Sequence, residues 1–282
     1  MNDTKKIIFI SSYPKSGNTW LRCLIGALLN KQKGNFSFDN LKYTGLFSRE
    51  SNFIHFKNLK YQENGNIDFN FLSNHWISAQ QKINKDNNEI KFFKTHSIRK
   101  IYNKYFTDET VCLGFIYIFR DPRDIAISYT HHCGGDLDVA IKTMLYNEKN
   151  YSSYYKANEL ISTWKNHLYS WNHFKTVPSL FIKYEDMLLD TRKILLQIIY
   201  FLKKIAKLEF HDDDLIKNIL KSTSFKNLQE MENSQGFGEA TDNNPFFRKG
   251  TAEQWQSVLS KDQSNLIENE LKIPMRHLGY LK

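Results

Sequence analysis

Three groups of residues in this chain have the types and spacing to hold a multiply charged anion. The first is Tyr13-Pro14-Lys15-Ser16-Gly17-Asn18-Thr19-Trp20, a small-residue turn with a lysine at its centre. It lies between an apolar run, Ile7 to Ile10, and a segment, Leu21 to Leu29, whose large apolar residues recur at helical spacing. Strand, turn and helix start together aim backbone N–H groups and a helix dipole at one point, which favours negative charge. Lys15 adds a full charge, and Ser16 and Thr19 add hydroxyl donors. The second group is Lys94-Thr95-His96, at the end of the run Ile90 to Lys94. The third is Arg120 with Ser128 in R-D-P-R-D-I-A-I-S, where a guanidinium and a hydroxyl can clamp a second phosphate. Each group also has a plainer reading: a solvated turn lysine, a structural histidine, and a surface Arg–Asp network of little worth.

Four segments read as the strands that position these groups: Ile7 to Ser12, Ile90 to Lys94, Val111 to Phe119, and Ser179 onward with a turn reaching Asp186. Helical patterns intervene, which predicts an α/β fold with a central, mostly parallel sheet flanked by helices. Such a fold delivers functional groups at the C-terminal ends of its strands. Asp121 is placed to cap a helix, with Pro122 at its first position and Asp124 completing a capping box. Asp124 and Ser128 then share a helix face. Residues 136–176 read as helical, with Trp164, Leu168, Trp171 and Phe174 at core spacing, and 191–207 as an amphipathic helix. Residues 30–75 read as loops and short helices, 84–89 as a turn, and 233–244 as a mobile loop rich in Gly, Ser, Gln and Asn. His131 and His132 receive no role.

At 282 residues the chain can bury a substantial core, and we expect one domain over residues 1–282. A net charge of +9 suits acidic ligands and leaves room for peripheral contact with an anionic membrane face. Cys23, Cys112 and Cys133 are far apart and lack metal-ligand spacing, so they read as buried or free thiols of a reducing compartment. Met1 to Lys6 leads directly into the first strand; no signal h-region and no run of eighteen apolar residues is present. A soluble, cytoplasmic protein is expected.

The turn is not a Walker A loop, because Lys15 precedes Gly17 instead of following a second glycine. Y-P-K-S-G-N-T-W instead resembles the 5′-phosphosulfate loop of the PAPS-dependent sulfotransferases, in the form of their bacterial-like members. Arg120 and Ser128 resemble that family's 3′-phosphate motif, and K-T-H stands between the two in the family's order. Further on, Y-E-D at Tyr184, T-S-F at Thr223 to Phe225 and R-K-G at Arg248-Lys249-Gly250 resemble family segments as well. Some positions depart from the pattern. Asn18 replaces a threonine, the K-T-H segment lacks its Leu-Pro, and Glu253 stands where R-K-G-x-x-G has a glycine. The C-terminal dimer motif is absent, which leaves the oligomeric state open.

The resemblance implies transfer of a sulfuryl group from 3′-phosphoadenosine 5′-phosphosulfate (PAPS), with the bisphosphate PAP as product and no metal. It makes His96 the general base, Lys15 the residue that stabilises the leaving oxygen, and Lys94 a positioning cation. Ser16, Gly17, Asn18 and Thr19 would hold the 5′-phosphate; Trp20, Tyr184, Thr223 and Phe225 would surround the adenine; Arg248, Lys249 and Gly250 would join Arg120 and Ser128 on the 3′-phosphate. The favoured acceptor is a hydroxyl on a glycan or glycolipid, with a phenol, alcohol or amine small molecule as the alternative, and no nucleic acid partner. Two other classes compete: a P-loop-type kinase, and a non-catalytic binder of anions or glycans, which would not need His96.

Overall fold

Successive residues of the first strand face opposite sides of the molecule. Ile7 and Phe9 enter one hydrophobic core, Ile8 and Ile10 another, and all four are fully buried. A strand buried on both faces belongs in the middle of a parallel sheet covered by helices on each side. The structure, a computed structural model, has that architecture and describes residues 5–30, 34–86, 89–210, 213–240 and 245–282. Expectations for 1–4, 31–33, 87–88, 241–244 and the Cys133 side chain lie outside the described residues.

The chain begins β1 (Ile7–Ser11), α1 (Asn18–Leu29), β2 (Thr44–Leu46), α2 (Phe69–Asp86) and β3 (Lys91–Thr95). A small ribbon, β4 (Lys100–Ile101) with β5 (Lys104–Tyr105), precedes β6 (Cys112–Phe119), α3 (Pro122–Cys133) and α4 (Leu137–Tyr146). Next come β7 (Tyr151–Tyr154), β8 (Ala157–Leu160), α5 (Trp164–Asn172) and β9 (Ser179–Lys183). The remainder is helical: α6 (Tyr184–Leu189), α7 (Thr191–Ala206), α8 (Asp213–Ser222), α9 (Phe225–Gln235), α10 (Trp255–Val258), α11 (Lys261–Glu270) and α12 (Lys272–His277). The main sheet has five parallel strands in the order β2-β3-β1-β6-β9. One face packs against Trp76 of α2, Ile125 of α3, Trp164 and Trp171 of α5 and Ile267 of α11; the other packs against α1, α7, α8 and α9. Burying each large apolar side chain fully contributes about 1.5–3 kcal/mol.

The order in the sheet sets up the site. Ser11 pairs with Thr95 on one side and Tyr117 on the other, so β1, β3 and β6 end together at one edge. The turn after β1, the Lys94-Thr95-His96 segment and Arg120 therefore meet there, as the α/β reading anticipates.

Five segments differ from expectation. Residues 30–75 are not only loops and short helices, because β2 within them joins the edge of the main sheet through its pairing with β3, and the long helix α2 begins at Phe69. Residues 136–176 are not one helical stretch, because β7 and β8 form an antiparallel hairpin within them. Its two-residue turn, Tyr155-Lys156, has φ of 50° and 62°, the doubly left-handed geometry of a hairpin turn usually announced by Asn-Gly. Helix α2 runs through Asn84–Asp86, where a turn was expected: Asn84 is held inside by bonds to Lys6 and to the Val111 carbonyl. Helix α9 includes 233–235, ahead of the expected loop, with Glu232 near its end caught by the N–H groups of Phe246 and Phe247. Asp121 does cap α3, accepting from Arg123 N–H at 2.9 Å, but Asp124 does not complete the box. Its carboxylate turns to Trp255 N–H and Arg120 instead. Cys23 and Cys112 are buried and free.

Candidate active site

The turn between β1 and α1 is held in an unusual shape. Lys15 has φ of 67° and Gly17 of 97°, both in the left-handed region. Gly17 is needed for space as well: a Cβ there would lie 2.5 Å from Tyr184 Cδ2. For Lys15 the same conformation costs on the order of 1–3 kcal/mol, a strain characteristic of functional loops. Asn18 fixes the turn to the sheet, its amide donating to the Ile10 carbonyl and to Ser12 Oγ, each at 3.2 Å. Asparagine at this position thus splints the loop.

One cavity of about 1070 Å³ collects most of the expected site residues. Lys15, Gly17, Asn18, Thr19, Trp20, Lys94, His96, Arg120, Ser128, Tyr184, Phe225, Arg248, Lys249 and Gly250 all line it. Ser16 and Thr223 do not. Ser16 is fully buried behind the loop, and its Oγ has no hydrogen-bond partner among the described residues. Thr223 is buried with its hydroxyl on the Ile219 carbonyl; its own carbonyl accepts the Trp20 indole N–H at 2.9 Å. It acts on the cavity through Trp20, whose ring meets Tyr184 edge-on.

Around Arg120 the walls converge. The guanidinium lies 4.4 Å from the centre of the Tyr184 ring, donates to the Thr251 carbonyl at 3.0 Å and pairs with Asp124 at 3.3 Å. Its Nε is buried and has no partner among the described residues. Arg248 donates to Gln254 Oε1, and Gly250, at φ 61°, lets the chain pass against the Phe225 ring, where a Cβ would stand 2.5 Å away. Glu253 also adopts the left-handed conformation that a glycine at its place would favour, with φ of 61°.

His96 lines the same cavity. Its Nδ1 is 2.8 Å from the Ser12 carbonyl oxygen, which can only accept, so Nδ1 carries the proton; Nε2 has no hydrogen-bond partner among the described residues. Burial and the charge of Lys94 hold the imidazole pKa well below its ordinary value, so the ring is neutral at pH 7. Burial also brings Lys94 down from its usual value, against the pull of Glu239.

The composition of the sequence gives no hint of Glu239. Its carboxylate accepts from Thr19 Oγ1 at 3.0 Å, pairs with Arg22 and lies 3.7 Å from Lys94 Nζ. Burial acts to raise its pKa, but Lys94 and Arg22 outweigh that and hold it far below the carboxylate range. An anion therefore already sits on the lysine wall of the cavity. Arg22, passed over in the motif, is 4% exposed and belongs to this cluster; helical spacing from Asn18 and Thr19 was the signal that could have found it. His132 also lines the cavity, and burial beside Lys15 and Lys94 lowers it to about 4.

Cations, among them Arg120 with a buried Nε that has no partner among the described residues, and a neutral histidine meet at the C-terminal edge of a parallel sheet. Fold and site together define an α/β protein with a cation-lined cavity and a neutral histidine on its wall. The sulfotransferase domain family matches residues 5–279. Cytosolic sulfotransferase 17 of Arabidopsis thaliana is 24% identical over 287 residues, 97% of this chain and 75% of that protein. Flavonol 4′-sulfotransferase of Flaveria chlorifolia is 25% identical over 270 residues, 93% and 76% of the two chains. The crystal structure of mouse sulfotransferase SULT7A1 complexed with PAP superposes with a TM-score of 0.61 at 20% identity, covering 98% of this chain and 85% of that one. The chain belongs to the sulfotransferase family, the one its loop resembles.

Proposed function

We propose that this site transfers a sulfuryl group from PAPS to an acceptor hydroxyl, within one domain spanning residues 1–282. The observation that carries the reading is the juxtaposition of Glu239 and His96: one wall of the cavity holds an anion on Thr19, Arg22 and Lys94, and the adjoining wall offers a bare imidazole nitrogen. The donor set suits the nucleotide. Lys15, Thr19 and the N–H groups at the start of α1 would take the 5′-phosphosulfate, Arg120, Ser128, Arg248, Lys249 and Gly250 the 3′-phosphate, and Trp20, Tyr184 and Phe225 the base. Arg120, on the cavity wall, keeps a buried Nε donor for which the described residues supply no acceptor.

In the transfer, His96 Nε2 takes the acceptor's proton as the acceptor oxygen bonds to sulfur. The bond from sulfur to the bridging oxygen breaks, and Lys15 meets the charge left on the departing phosphate. Lys94 neutralises the non-bridging oxygens. Sulfuryl transfer resembles phosphoryl transfer in that positioning and charge stabilisation supply most of the catalysis.

The acceptor we favour is a hydroxyl on a glycan or glycolipid. Tyr151 and Tyr155 present half-exposed rings at the cavity mouth, with Asp39, Lys42, Arg49 and Ser152 supplying polar groups beside them. Rings with hydrogen-bonding neighbours suit a sugar face. A second reading, a small phenol, is favoured by the name of the flavonol relative. No helix among the described residues is long and apolar enough to cross a membrane, and the protein is proposed to work in the cytoplasm. The test is a panel of glycans, glycolipids, phenols, alcohols and amines offered with sulfur-labelled PAPS. Label on a saccharide supports the favoured acceptor; label on a phenol alone overturns it, and no label on any acceptor counts against transfer altogether.

A further inference from the structure

Glu159, on β8, has a carboxylate far from water, at 1% exposure. Its Oε1 accepts three hydrogen bonds: from Thr95 Oγ1 at 2.8 Å, from the His96 backbone N–H at 2.9 Å, and from Ser48 Oγ at 3.3 Å. Its Oε2 has no partner among the described residues. Burying a carboxylate is costly unless its bonds and neighbouring charges compensate, and a buried group that is only half satisfied asks for an explanation.

The explanation lies in what Glu159 holds. The peptide of His96 is gripped from both sides. Glu159 takes its N–H, and His167 of α5 donates from Nε2 to its carbonyl at 3.1 Å. The other nitrogen of His167, left as the acceptor, faces the Tyr117 hydroxyl at 2.9 Å. Thr95, whose hydroxyl goes to Glu159, also receives the Ser97 N–H. These bonds fix the backbone from which the imidazole reaches the Ser12 carbonyl. Without an acceptor at 159, the His96 N–H would be a buried, unpaired donor and the Thr95 hydroxyl would lose its partner.

We propose that Glu159 is the positioning residue for His96: by holding the His96 N–H and the Thr95 hydroxyl, it keeps the imidazole in the Nδ1–H tautomer with Nε2 toward the cavity. The hairpin that carries Glu159 also carries Tyr151, Ser152 and Tyr155 on the cavity wall. The acceptor-side wall and the base are thus joined through one carboxylate. Glu159 touches none of the reacting atoms. Its effect passes through the His96 backbone and ring.

The proposal rests on His96 being the base, and the test is chosen to read the ring without turnover. Protein carrying ¹⁵N-labelled histidine is saturated with PAP, which offsets lost stability by mass action, and its imidazole nitrogens are followed by long-range ¹H–¹⁵N correlation. The His96 signals are assigned by their loss in His96→Ala. Wild type should show the Nδ1–H form down to well below pH 6.5. Glu159→Ala should give mixed tautomers and a titration that differs from wild type. Glu159→Leu, which fills the same space without an acceptor, should do the same. Glu159→Gln keeps an acceptor oxygen and should restore the wild-type tautomer. Wild-type tautomer and titration in the Ala or Leu protein overturn the proposal. Failure of the wild-type protein to bind PAP would instead remove the donor reading and leave the ring result standing.

Discussion

His96 donates a hydrogen bond from Nδ1–H to the main-chain oxygen of Ser12 at 2.8 Å, and that bond sets the tautomer of the ring. Ser12 belongs to the loop that carries Lys15, so His96 and the anion-binding turn are set in register by a contact between the segments that follow β1 and β3. Replacing His96 by Ala should reduce turnover by ~10²–10⁴ while leaving affinity for adenosine 3′,5′-bisphosphate within about twofold of wild type. Single-turnover kinetics with labelled donor, beside calorimetry with the bisphosphate, separates the two quantities. Near-normal turnover would make His96 structural.

The pH dependence follows from the neutral state of that ring. In the proposed transfer the unprotonated imidazole is the working form, so activity should be present above its pKa and lost as pH falls through it. Burial and Lys94 place that pKa well below 6.5. Donor-saturated turnover should therefore stay level through pH 6.5 and fall only in more acidic buffer. On the alkaline side, burial brings Lys94 down from 10.5, so its charge, and with it activity, should fade at lower pH than for an exposed lysine. A rate half-lost at pH 6.5 or above would contradict the ring's environment.

Arg120 is the pivot of the proposed 3′-phosphate end. Arg120→Ala should weaken bisphosphate binding by ~1.5–3 kcal/mol, the scale of a charge-assisted hydrogen bond. It also leaves Asp124, 1% exposed, without its cation, so the melting temperature should drop in the same variant. Unchanged affinity alongside a lowered melting temperature would confine Arg120 to structure.

Glu239 occupies the lysine wall as an internal anion, so an incoming anion must compete with it. Glu239→Gln removes the charge and leaves Arg22 and Lys94 to the ligand. Bisphosphate affinity should rise roughly tenfold, or ~1.4 kcal/mol. Equal or weaker binding, measured by calorimetry, would show that the carboxylate supports the site and does not compete for it.

The parts of the site legible in the sequence were those encoded locally. The Lys15 turn and Arg120 with Ser128 are short segments whose residue types announce an anion, Arg248 to Gly250 was reached only through the family resemblance, and parallel pairing of β1, β3 and β6 brings the first two together with His96. Glu159 and Glu239 were illegible because their meaning depends on contacts 63 and 220 residues away, with His96 and Thr19. The hairpin of β7 and β8 was missed for a different reason. Its turn uses Tyr155 and Lys156 in a conformation that glycine and asparagine normally supply, so no composition signal marked it. Likewise, helical periodicity carried α2 through Asn84 only because Lys6 and Val111 lie across from it to satisfy the asparagine.

The most direct measurement of donor recognition is a calorimetric titration of the wild-type protein, without magnesium, with adenosine 3′,5′-bisphosphate and separately with ADP. The two differ in where the second phosphate sits, which is what Arg120, Ser128, Arg248 and Lys249 are placed to read. The bisphosphate should bind at one site at least tenfold more tightly than ADP, and added magnesium should not change it. Equal affinities, or binding that requires magnesium, would contradict a site built for a 3′-phosphorylated donor.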